Sequence, residues 1–142
     1  MTEADIADCR NCLCLASRKA ARAITAAYDR RLRPYGVRTT QFTILTMLML
    51  RGESSIGELA NILGMDRTTL TRNVALLESN GWAESRPDAA DSRAHIISVT
   101  GKGRALVRAA LPDWRKAQES TSAAFGPNGV AALRRLAATV IQ

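Results

Sequence analysis

Residues 66–82, DRTTLTRNVALLESNGW, crowd Thr68, Thr69, Thr71, Arg67 and Arg72 into one short stretch, with no acid between Asp66 and Glu78. Asp66 is a helix-capping residue type and Gly81 a helix stop, so the stretch is expected to be a helix. On a wheel of about 100° per residue, Leu70, Val74 and Leu77 fall on one side, which must be buried. The other side carries Thr68, Arg72, Ala75 and Ser79, flanked by Thr69 and Thr71. Those residues suit contact with double-stranded DNA. Threonine hydroxyls reach phosphates or base edges, and their methyls reach a thymine methyl. The arginine fork of Arg72 matches guanine O6 and N7, and a helix N-terminus favours phosphate. A solvated amphipathic helix would show a similar polar face, so the neighbouring elements decide between the two.

A second group of cations flanks a polar turn. Arg86 and Arg93 bracket PDAADS, and arginine is favoured in narrow minor grooves, where the potential is most negative. Asp91 is expected to shape this tip and to hold an arginine in a short ion pair, while Asp88 sits in an exposed turn. A third group is CRNCLC, with Cys9, Cys12 and Cys14. Three thiols this close are not an extracellular disulfide framework. Inert core thiols, a metal site and a redox site remain as readings. A zinc site wants four ligands on a looped chain, and a continuous helix would splay these three apart, so no metal is expected. Cys9 and Cys12 are expected in the core, whereas Cys14 faces Arg18, a cation that would favour the thiolate.

Catalytic chemistry has little to work with. The sole histidine, His95, lies on an expected strand with a serine and aliphatics around it, and no nucleophile–base pair is visible nearby. TGKGR at 100–104 lacks the spacing of a phosphate-binding loop. No enzyme activity and no cofactor are expected.

Several elements must hold the reading helix in place. Residues 5–33 show helical spacing at Leu13, Ala16, Ala20, Ile24 and Ala27, and Pro34 and Gly36 stop that helix. A second helix is expected from Thr39 to about Leu50, with Phe42, Leu45, Leu48 and Met49 inward. SIGELANILG offers a capping box, Ser55 with Glu58, and a buried stripe of Leu59, Ala60 and Leu63. Two short helices joined by a tight glycine turn form a helix-turn-helix. WAESR and HIISVT then alternate as two strands of a hairpin. A long helix follows from Lys102 to about Ser122, GPNG breaks it, and residues 130–141 form a last helix through Val130, Leu133, Ala137 and Val140.

The chain has 142 residues, a net charge of +7 and a hydrophobic fraction of 46%, which suits one domain over 1–142 that needs no staples. A basic excess favours anionic partners. Aromatic residues are too few for a single-strand stacking platform. The run ILTMLML at 44–50 falls far short of the roughly 20 apolar residues of a membrane span. MTEADIADCRN is acidic and polar, unlike a signal peptide. A cytoplasmic protein without a membrane partner is expected.

The ordered set QFTILTML, SIGELANILG, DRTTLTR, the D-S-R at 91–93 and VTGKGR resembles the MarR family of transcriptional regulators. The resemblance implies a mostly helical protein with a small β-hairpin wing. It places a winged helix-turn-helix over 39–100 and dimerisation helices over 5–33 and 102–142. It also implies a homodimer on a pseudo-palindromic operator, usually a repressor, released by a small-molecule effector of unknown identity or by oxidation. Tyr28, Tyr35 and Phe42 are effector-pocket candidates and equally core candidates. The spacing from Cys14 to RAITAAY resembles the branch that senses organic hydroperoxides. Tyr28 there matches one thiolate-holding tyrosine, and Thr39 stands in the place of the second. Position 76 is commonly charged in the family's reading helices, and Leu76 departs from that. An adaptor that uses a winged helix without reading DNA is the competing class.

Overall fold

Buried leucines and isoleucines from five successive elements meet in one core, and the elements follow from them. The computed structural model describes residues 2–139. The chain begins with a short helix α1 (Glu3–Ala7) and a 3-10 turn (Asp8–Asn11). Cys12 then leaves helical geometry at ψ 120° and starts α2 (Leu13–Leu32). The continuous helix expected over 5–33 is therefore broken. The break carries no proline or glycine, which is why the sequence does not announce it. A second 3-10 turn (Arg33–Tyr35) leads to α3 (Thr39–Arg51), whose first turn is closed by Arg38 and Gln41.

A two-residue strand β1 (Ser54–Ser55) precedes α4 (Ile56–Leu63) and α5 (Arg67–Ser79). Strands β2 (Ala83–Pro87) and β3 (His95–Val99) form the hairpin, and β1 joins β3 on its other edge. The sheet thus has three antiparallel strands rather than the expected two, in the order β1-β3-β2. Ser85 pairs with Ile97 and Arg86 with Ile96. Ile97 and Val99 face the core while His95 is exposed.

Helix α6 (Gly101–Ala137) starts at Thr100, whose hydroxyl accepts from the Gly103 N–H. Gly126 interrupts it at φ 68°, ψ 170°. A residue with a Cβ seldom adopts that backbone, so GPNG breaks the helix as expected. Val140 lies outside the described residues.

Leu32, Phe42, Ile44, Leu45, Leu59, Leu70, Leu77 and Ile97 are fully buried. They join α2, α3, α4, α5 and the sheet into one cluster. Trp114 of α6 stacks on Phe42 with ring centroids 6.2 Å apart, and Tyr28 of α2 tilts against it at 6.2 Å. This aromatic trio fastens the long helices to the helix-turn-helix. Among the described residues no helix is long and apolar enough to cross a membrane.

Candidate nucleic-acid interface

Helix α5 is fixed at both ends. At its start the Asp66 carboxylate accepts from the Thr69 N–H at 2.8 Å and from the Thr69 hydroxyl at 2.6 Å. The Thr69 side-chain hydrogen bond is the largest cause that holds the Asp66 carboxyl below its ordinary range. Thr69, expected among the DNA-facing hydroxyls, thus commits its O–H to the cap. Leu70, Val74 and Leu77 are buried as their spacing requires.

Thr68, Thr71, Arg72 and Ala75 are exposed. The side chains of Thr68, Thr71 and Arg72 have no hydrogen-bond partner among the described residues. Arg67 turns back toward α4. A Cβ on Gly57 would sit 3.1 Å from its Nη2, so the glycine leaves room for the guanidinium. Glu78, the first acid along α5, accepts from the Ser85 hydroxyl of the wing.

At the other end of α5, Lys102 Nζ donates to the Asn80 carbonyl at 2.8 Å and Thr100 Oγ1 donates to the Gly81 carbonyl at 2.6 Å. TGKGR is therefore the clamp between α5 and α6. The Thr100 cap had a legible signal, a threonine ahead of a helix; its bond to Gly81 did not.

The wing tip is shaped by its two acids. Asp91 Oδ1 accepts from the Arg93 N–H and Asp88 Oδ1 from the Ala90 N–H, both at 3.0 Å. Asp91 closes the turn through a backbone bond, and among the described residues the expected ion pair with an arginine is not formed. The carboxylate is spent on closing the turn. Asp88 also builds the tip rather than merely sitting in it. Arg93 is exposed at the tip, with no side-chain partner among the described residues. Arg86 instead meets Glu53 at 2.6 Å, a pair that sequence reading missed.

Two expectations about the N-terminal segment change. Cys9, Cys12 and Cys14 are all exposed, so Cys9 and Cys12 are not core thiols; the break at Cys12 takes them off the apolar face of α2. Tyr28 lies about 21 Å along the helix axis from Cys14, and its hydroxyl donates to Gln118. Within one chain it does not reach that thiol. Burial pushes the Tyr28 hydroxyl above its ordinary pKa. Tyr35 donates to Asp113 at 2.6 Å, and Phe42 is core.

This arrangement, a capped helix-turn-helix with a three-stranded wing set against two long helices, is that of a winged-helix regulator. A family model described as the MarR family matches residues 35–94. The chain is 39% identical to the transcriptional regulator MosR of M. tuberculosis, solved in complex with DNA, with a TM-score of 0.80 over 88% of this chain and 92% of that one. It is 35% identical to the transcriptional repressor MprA of Escherichia coli over 59% of this chain and 49% of the repressor. BpsR of Bordetella bronchiseptica, solved in a study of its regulation by 6-hydroxynicotinic acid, shares the fold at a TM-score of 0.80 and 22% identity, with 91% of this chain and 95% of that one covered. The chain belongs to the MarR family of transcriptional regulators. It spans about half the length of the curated relatives it matches.

Proposed function

We propose that the chain is a homodimeric repressor that reads a pseudo-palindromic operator in double-stranded DNA. The observation that carries this is the outward face of α5. Thr68, Thr71 and Arg72 stand exposed and without hydrogen-bond partners among the described residues, and Glu78, the exposed acid seven residues beyond Thr71, is engaged by the Ser85 hydroxyl. Arg72 would take a guanine edge, Thr68 and Thr71 would take phosphate or base edges, and Arg93 at the wing tip would enter the minor groove. Arg67 and Arg86 would add phosphate contacts, Arg86 after leaving Glu53. The Thr69 methyl remains available where its hydroxyl is not.

Dimerisation is supported by apolar side chains on the long terminal helices that the chain leaves uncovered. Leu13 is 84% and Leu136 64% exposed, and Leu15, Phe125 and Leu133 join them. Two reading helices related by a two-fold axis would meet half-sites about 10 base pairs apart, centre to centre. The repressor MprA supports the direction of regulation.

Release by a small molecule is supported by a crevice of about 210 Å³ lined by Ile24, Tyr28, Gln118, Phe125, Leu133 and Arg134. A second reading is favoured by the exposure of Cys14. An organic hydroperoxide would oxidise its thiol to the sulfenic acid and leave as the alcohol. Cys14→Ser separates the two: it abolishes release by cumene hydroperoxide if Cys14 is the sensor and leaves small-molecule release intact.

The test of the main reading is light scattering combined with selection from a random duplex pool. A dimer that enriches a palindrome supports it. A monomer that binds one half-site with full affinity overturns it.

A further inference from the structure

One large hydrocarbon stands exposed on α5, beside the small Ala75. Leu76 is 46% exposed, although the helix already buries Leu70, Val74 and Leu77. Of the polar side chains that follow it, Glu78 is held by the Ser85 hydroxyl and the other two bond back to their own helix. Ser79 Oγ donates to the Leu76 carbonyl at 2.9 Å and Asn80 Nδ2 donates to the same oxygen at 2.8 Å. Both are spent on the last turn, so the isobutyl group of Leu76 is what that turn offers outward.

We propose that Leu76 is a specificity-determining residue that packs on the 5-methyl group of a thymine in the major groove; this rests on the reading of α5 given above. Leu76 lies four residues beyond Arg72, on the same helix face, about 6 Å farther along the axis. That is close to two steps of 3.4 Å along a DNA strand. A hydrocarbon gains nothing from a phosphate, and the thymine methyl is the apolar group that base edges present in the major groove. The contact selects thymine over cytosine by burying a methyl group. Arg72 and Leu76 would together read a guanine and, about two base pairs away, a thymine in each half-site.

The test starts from a duplex that the wild-type protein enriches from a random double-stranded pool. Each thymine of that duplex is replaced singly by uracil, which keeps every hydrogen-bonding group and removes only the methyl. Affinities are measured for wild type and Leu76→Ala, with Leu76→Met as the variant that keeps an apolar reach. Leu76 is exposed, so both variants should fold, and thermal melts verify it.

The expected result is one thymine per half-site whose replacement weakens wild type about fourfold, the worth of one buried methyl group. The same replacement leaves Leu76→Ala unchanged, and Leu76→Met keeps part of the effect. If no thymine methyl matters, or if its loss weakens wild type and Leu76→Ala equally, the role of Leu76 is overturned while α5 remains the reading helix. If the wild-type protein enriches no sequence at all, the reading of α5 falls as well.

Discussion

Lys102 Nζ lies 2.8 Å from the Asn80 carbonyl oxygen, so the first turn of α6 closes the C-terminal end of α5. A cation there complements the partial negative charge of the helix end. Thr100 holds the next carbonyl, at Gly81. At Gly103 the two segments approach so closely that a Cβ would stand 2.1 Å from the Trp82 carbonyl oxygen. Helix α5 is thereby held at its C-terminal end against the start of α6.

The close approach makes Gly103→Ala a severe change, because backbone rather than a flexible side chain blocks the methyl. Overpacking costs typically 1–3 kcal/mol, and this site should reach about 3. Urea unfolding should show the midpoint falling with little change in slope. An unchanged midpoint would mean that the clamp is looser than described.

Glu53 and Arg86 make a second testable pair. Both side chains are about half exposed, 52% and 53%, so the pair adds at most about 1 kcal/mol to stability. Glu53→Gln should therefore melt close to wild type. Its DNA affinity should rise, since Arg86 no longer has to leave Glu53 to meet a phosphate, and Arg86→Ala should flatten the slope of log affinity against log salt by about one relative to wild type. Identical slopes would show that Arg86 makes no phosphate contact.

Arg72 and Arg93 should fail differently. Arg72→Ala should cost about 1–3 kcal/mol in operator binding and relax preference at one base position. Arg93→Ala should weaken binding more evenly across sequences. Competition against single-base operator variants separates the two patterns. Wild-type behaviour of both variants would rule out these contacts.

Tyr35 and Asp113 tie the 3-10 turn before α3 to α6, and their bond has a pH window. The Tyr35 hydroxyl, followed by Lys116, holds the Asp113 carboxyl below its ordinary value, and the same bond to Asp113 raises Tyr35 above its own. For the carboxyl the stabilisation is present above the ordinary Asp pKa and is lost as pH falls through the lowered one. For the phenol it is present below about pH 10 and is lost as pH rises through the raised value. The stability difference between wild type and Tyr35→Phe should stay level from about pH 5 to 9 and shrink on either side. A difference that does not vary with pH would show that the bond contributes nothing.

The α5 cap, the buried Leu70, Val74 and Leu77, the two long strands and the stop at GPNG were legible because each rests on local spacing or on a residue type with one structural use. What escaped depends on distance or competition. Glu53 and Arg86 stand 33 residues apart and meet only because β1 joins the sheet. A strand of two residues carries no alternation to read. Thr69 could spend its hydroxyl on the cap or on a partner, and Asp66 takes it. Cys12 breaks the first helix without any breaker residue, and that exposes the thiols expected in the core.

Helix α5 is proposed to read the sequence of double-stranded DNA. The most direct test is an anisotropy titration of the wild-type protein, at 50 and 200 mM salt, against a pool-enriched duplex and a shuffled duplex of equal composition. If α5 reads sequence, the enriched duplex should be preferred roughly a thousandfold or more. Both affinities should also fall steeply with salt. Equal affinity for the two duplexes, or binding indifferent to salt, would contradict that role.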